Sequence, residues 1–174
     1  VISYNGEVYN YRELRTQLEA LGVQFHSVTD TEVVLHALAM WGTAALLKFN
    51  GMFGIALWDK EERTLLLARD RFGIKPVYYS DGPKTFLFGS EVKAILEHPD
   101  APREVDREGL LEYFTFQNFF TDRTLFRGVK LLPAGCWLKL GASGGNVHVE
   151  RYWDYNFTGE TTNASVEEYT EELH

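Results

Sequence analysis

Apolar residues return along this chain with two periods, and the change from one to the other separates helices from strands. Leu14, Leu18 and Leu21 recur at helical spacing, so residues 11–21 read as an amphipathic helix that Gly22 can end. A second helix runs from Thr29-Asp30 through Val34, Leu35, Leu38 and Trp41 to Gly42, and either Thr29 or Asp30 is placed to cap it. Glu32 falls in its first turn, where the helix dipole favours an acid. Between the two, Gln24-Phe25-His26 is a short extended piece whose histidine reads as structural, and a third short helix covers residues 43–49.

The period then changes. Residues 52–59 form a near-continuous apolar run, as expected of a strand buried on both faces. Runs at 64–70, 77–80 and 85–88 follow across tight turns, and the four strands predict an antiparallel meander. Arg71-Phe72-Gly73-Ile74-Lys75-Pro76 sits between the second and third. Its basic residues could suit a phosphate, but Gly and Pro favour a stiff hairpin. A short helix begins at Ser90-Glu91, and Asp106 starts another through Leu110, Leu111 and Phe114, ahead of a long aromatic connection at 117–127. Residues 131–135 turn into a strand at 136–140. Alternation puts Cys136 on one face with Leu138 and Leu140, which reads as a buried structural thiol. Ser143-Gly144-Gly145 turns into a strand at 147–153, and Ser165-Val166-Glu167-Glu168 opens a last helix. The elements together predict an α+β chain with antiparallel sheets.

With 45% hydrophobic and 14% aromatic residues, a chain of 174 can build its own core, which argues against disorder. A net charge of −8 with scattered basic residues argues against nucleic acid as a partner. No apolar run reaches the roughly 20 residues of a membrane span. A lone cysteine rules out an internal disulfide and leaves a cytoplasmic setting as the default. Asn156-Phe157-Thr158 and Asn163-Ala164-Ser165 match the glycosylation pattern, which means little in that compartment.

The chemistry concentrates near the start. Val1-Ile2-Ser3-Tyr4 reads as the tail of a strand that Asn5-Gly6 breaks, and Asn10 as an N-cap with Glu13 completing a capping box. A strand end, a glycine turn and a helix start would thus gather an amide, a backbone N–H and a carboxylate around one small cavity. The run Tyr4-Asn5-Gly6-Glu7-Val8-Tyr9-Asn10 resembles the Asn-Gly-Glu-Ile/Val-Tyr-Asn motif of the class II glutamine amidotransferases, in particular the glutaminase domain of asparagine synthetases of the B type. Asp30 with Glu32-Val33-Val34-Leu35, the segment from Leu67 to Tyr79, and Ser90-Glu91-Val92-Lys93-Ala94 resemble further stretches of that family, so the likeness covers nearly the whole chain.

The resemblance implies a four-layer αββα sandwich of the N-terminal nucleophile hydrolase type. It implies that Asn5 and Gly6 form an oxyanion hole, and that Glu7 and Asp30 hold the α-amino group of glutamine. No metal and no cofactor are implied in this domain; ATP and Mg belong to a synthetase domain expected after residue 174. Glutamine is the implied small-molecule substrate and that C-terminal domain the implied partner, with room for a homodimer. The family's nucleophile is a cysteine at the first residue of the mature chain, whose α-amine is the base. This chain begins at Val1, in the middle of the family's domain, so as written it carries half a glutamine site and is expected to be inactive alone. Two alternatives stay open: an amidotransferase with another acceptor, and a catalytically silent scaffold for a synthetase.

Overall fold

In the computed structural model, which describes residues 1–144, 147–157 and 165–172, the chain alternates two antiparallel sheets with short helices. The strands are β1 (Ile2–Val8), β2 (Gly51–Asp59), β3 (Thr64–Arg69), β4 (Tyr78–Asp81), β5 (Phe86–Gly89), β6 (Lys130–Leu131), β7 (Cys136–Gly141) and β8 (His148–Arg151). The α-helices are α1 (Tyr11–Ala20), α2 (Asp30–Trp41), α3 (Ala45–Lys48), α4 (Val92–Leu96), α5 (Arg107–Phe116) and α6 (Val166–Glu172). One sheet runs in the order β1-β2-β3-β7-β8 and the other in the order β5-β4-β6.

Alternation along the strands sorts the layers. Phe53 and Ile55 of β2, with Leu66 and Ala68 of β3, pack on Leu14, Leu18, Val33, Val34 and Leu38 of the first two helices. Their neighbours on the strands, Ala56, Leu65 and Leu67, turn the other way, onto Tyr79 of the second sheet, Val77 just before it, and Cys136 and Leu138. The outer face of the second sheet carries Tyr78 and Leu87 against Val92, Ile95 and Leu96. Cys136 is therefore a core residue, and burial pushes its thiol above the ordinary range.

Four expectations need correction. Asn5-Gly6 does not break β1, which continues to Val8 in register with β2: Asn5 faces Gly54, Gly6 faces Phe53 and Glu7 faces Met52. The glycine is needed because the strands meet so closely that a Cβ on Gly6 would lie 2.1 Å from the Met52 carbonyl oxygen. Asn10 does precede α1, but its side chain makes no cap. It donates to the Lys48 carbonyl (2.9 Å) and accepts from the Asn50 N–H (2.9 Å), tying the end of α3 to the start of β2.

The meander also does not form. β2 and β3 pair with each other, but β3 takes β7 as its second neighbour, while β4 pairs with β5 and β6. Residues 70–77 are a crossover between sheets and not a hairpin. Its post is Asp70, 0% exposed, whose carboxylate accepts from the backbone N–H of Phe53, Phe72, Ile74 and Lys75 at 2.9–3.2 Å. The neighbouring Arg69 guanidinium donates to the carbonyls of Lys75, Gly73 and Leu132. The glycine turn at 143–145 and the second glycosylation pattern at 163–165 extend outside the described residues, as does Thr158 of the first; Ser165 caps α6, exchanging bonds with Glu168.

Candidate active site

The ladder between β1 and β2 decides which groups of β1 are already engaged. Val1 exchanges bonds with Trp58 at one end, and the Tyr9 N–H donates to Asn50 at the other. In an antiparallel pair every second residue turns both its N–H and its C=O to the partner. Odd-numbered residues of β1 thus bond to β2, and the N–H groups of Gly6 and Val8 aim away from it, along the outer edge of the described sheet. The two lie about 7 Å apart on that edge.

Asp30 comes to this edge from α2. Thr29, and not Asp30, caps the helix, accepting from the Glu32 N–H at 3.4 Å. Asp30 is left to point at β1, where its Oδ2 accepts from the Val8 N–H (3.1 Å) and the Tyr4 hydroxyl (2.9 Å). Burial, and then the bond to Asp30, push the Tyr4 phenol well above its ordinary value, so it stays a proton donor. Both bonds fall on one carboxylate oxygen; among the described residues no donor meets Oδ1, which leaves it for a ligand.

Asn5 and Glu7 project from the exposed face of β1, on the same side as Ser3. The Asn5 Nδ2 donates to the Ser90 hydroxyl (3.2 Å), just past β5, so the second sheet orients the amide. An amide nitrogen has two N–H groups, and one remains for another acceptor. Asn5 and Ser90 also line a small cavity of about 60 Å³ between the sheets, room for one or two waters but not for an amino acid. A larger cavity, about 690 Å³, lies around Val1, Trp58 and Lys139, at the opposite end of β1, so volume does not mark the site.

The structure thus brings Gly6 and Asp30 to one edge, with Asn5 and Glu7 on the adjoining face. Two supporting residues were missed in the sequence, Tyr4 and Ser90. Tyr4 read as one more apolar strand residue. Ser90 stood in a stretch that already matched the family, but the 85 residues separating it from Asn5 hid the contact. No group of metal-ligating side chains occurs among the described residues.

This arrangement, a backbone N–H and an amide on one strand beside two carboxylates, can stabilise an oxyanion and bind an ammonium group. Comparison with known proteins identifies the family. A model of the glutamine amidotransferase domain matches residues 1–153. Glutamine-hydrolyzing asparagine synthetase 3 of Bacillus subtilis (strain 168) is 44% identical over 154 residues, covering 88% of this chain and 25% of that protein. Glutamine-hydrolyzing asparagine synthetase 1 of the same organism is 37% identical over 156 residues, covering 90% and 24%. The chain thus spans about a quarter of the length of these curated relatives. Among solved structures, the B. subtilis glutamine phosphoribosylpyrophosphate amidotransferase complexed with ADP and GMP superposes with a TM-score of 0.59 at 19% identity, over 87% of this chain and 29% of that one, which shows a common fold. The chain belongs to the class II glutamine amidotransferase domain family.

Proposed function

We propose that this domain hydrolyses glutamine to glutamate and ammonia within a longer protein, whose ATP- and Mg-dependent synthetase half uses the ammonia to amidate aspartate. The fold would then be the four-layer αββα sandwich of the N-terminal nucleophile hydrolases, a reading supported by helices on one face of the larger sheet and α4 on the far face of the smaller. Aspartate as acceptor rests on the names of the relatives.

The observation that carries the proposal is the outward N–H of Gly6 on the edge that Asp30 reaches. Glutamine's α-ammonium would sit between the carboxylates of Asp30 and Glu7, and its side-chain carbonyl would face Gly6 and Asn5. The attacking thiol is assigned to an N-terminal cysteine of the mature full-length protein. As the thiolate adds to the amide carbon, the carbonyl oxygen takes negative charge and accepts from the Gly6 N–H and Asn5 Nδ2. The α-amine of that cysteine, having taken the thiol proton, returns it to the departing nitrogen, so collapse breaks the C–N bond, expels ammonia and leaves a thioester. Water then adds to the thioester through a second oxyanion in the same place, breaking the C–S bond to release glutamate and the free thiol.

The test is Asn5→Ala in the full-length protein. A donor used only when charge develops lowers the barrier without tightening substrate binding. Turnover of glutamine is expected to fall by about 100- to 1,000-fold with KM little moved. Synthesis from free ammonia is expected to continue at the wild-type rate. Equal loss of both rates would refute the oxyanion role and leave Asn5 as a brace between the sheets through Ser90.

A further inference from the structure

On its face of β1, Asn5 has little to lean on. Its partner across the ladder is Gly54, which offers no side chain to pack against. Ser3 and Glu7, its neighbours on the same face, are exposed. An asparagine side chain turns about two bonds, and rotation about the second is broad. An amide left to itself here would sample many directions.

The glycine opposite also lets the second sheet come close. A Cβ on Gly54 would lie 2.8 Å from Val77 Cγ2 and 3.2 Å from the Pro76 carbonyl oxygen, at the end of the crossover. That approach brings in Ser90, whose Oγ accepts from Asn5 Nδ2 at 3.2 Å and is the partner of that side chain among the described residues. Ser90 is itself held from both sides. Gly89, just before it, faces Tyr78 in the β4–β5 ladder, and α4, just after it, is anchored by Ile95, 2% exposed. Both ends of the bond thus sit on fixed elements. With one N–H of the amide nitrogen engaged, the other points in a set direction.

We propose that Ser90 is a positioning residue for glutamine hydrolysis, which aims the second Asn5 N–H at the oxygen that gains charge. The proposal rests on the oxyanion role put forward above for Asn5 and says what makes that role possible. The Gly6 donor is aimed by the backbone of β1 itself, whereas a side-chain donor needs a separate brace. Donors of this kind stabilise a transition state because they are already in place. A misplacement of about 1 Å can cost on the order of 100-fold in rate. The Ser90 hydroxyl therefore acts on turnover through Asn5 and leaves substrate binding alone.

The test is Ser90→Ala in the full-length protein, made in the wild-type and in the Asn5→Ala background. In the first, kcat for glutamine is expected to fall roughly 10- to 100-fold, with KM and ammonia-dependent synthesis unmoved. In the second it is expected to change nothing further, because the amide to be aimed is already gone. Ser90→Thr keeps the hydroxyl, the adjoining cavity of about 60 Å³ has room for its methyl group, and kcat is expected to match wild type. An unchanged kcat in Ser90→Ala would overturn the proposal. Equal losses in the two backgrounds would also overturn it, since the hydroxyl would then act without Asn5. A parallel fall in ammonia-dependent synthesis would reduce the bond to a tie between the sheets. Failure of the Asn5 reading has a different signature: Asn5→Ala alone would leave glutamine turnover unchanged, or lower it together with synthesis, and both readings would fall.

Discussion

At Asp30 a single carboxylate oxygen already takes the Val8 N–H and the Tyr4 hydroxyl, so the residue braces β1 whatever else it binds. The two roles separate on substitution. Asp30→Asn keeps an oxygen for these donors, and the helix cap belongs to Thr29, so the fold should survive. It removes the charge that would pair with an ammonium group in ground and transition states alike. Such a bond contributes about 1.5–3 kcal/mol. In the full-length protein, KM for glutamine should therefore rise roughly 10- to 100-fold with kcat little changed. An unchanged KM in a normally folded variant would leave Asp30 as a brace alone. The four candidate residues were legible because their types and spacing form a motif. Tyr4 and Ser90, which bond to Asp30 and Asn5, were not, since a tyrosine in a strand and a serine before a short helix are ordinary in any sequence.

Helix α2 shows what local chemistry does and does not disclose. Its extent was readable from the apolar period and from Gly42, whereas the partners of its first turn were not. Glu32 reaches back over that turn and accepts from the N–H groups of His26 and Ser27 and from the Ser27 hydroxyl, so it clamps the preceding loop. The Ser27 hydroxyl first, and the His26 N–H next among the stabilising bonds, bring its carboxyl from the usual 4.5 down to about 2. A carboxyl depressed in the folded state binds fewer protons there than in the unfolded chain, so its stabilisation is lost on acidification. The advantage of wild type over Glu32→Gln should accordingly be complete above about pH 4.5 and fade as pH falls toward 2, read from urea midpoints at several pH values. A difference that stays constant across that range would show that the loop bonds contribute nothing through ionisation. Asn10 is the opposite lesson. Its spacing to Glu13 suggested a cap, but Lys48 and Asn50, about 40 residues on, supply better partners.

For the molecule as a whole, most strand positions and the pairs β2–β3 and β4–β5 were legible, whereas the far end of β1, the short β6 and the sheet to which each pair belongs were not. Alternation reveals which face of a strand is apolar, and both sheets offer apolar faces, so nothing local assigned β3 to β7 in place of β4. The assignment is made by long-range bonds such as that from Arg69 to Leu132, 63 residues away. Asp70 is the centre of this arrangement. In Asp70→Asn an NH₂ group must face two of the four N–H donors that the carboxylate now satisfies. Each buried donor left unpaired costs about 1–3 kcal/mol. The variant should lose roughly 3 kcal/mol or more, and Tm should fall by about 10 °C. A change within a degree or two would show that the crossover is held by Arg69 instead.

The same carboxylate bears on how the protein opens. It joins the Phe53 amide in β2 to the Ile74 and Lys75 amides on the way to β4, while the Asp70 carbonyl takes the Gly135 N–H at the entry to β7. Solvent cannot reach one of these amides by loosening its own segment, because the shared oxygens hold it to the others. Their hydrogens are therefore expected to exchange with solvent in step in a native-state exchange measurement, whereas unequal protection would make the boundary between the sheets a boundary between independently breathing units.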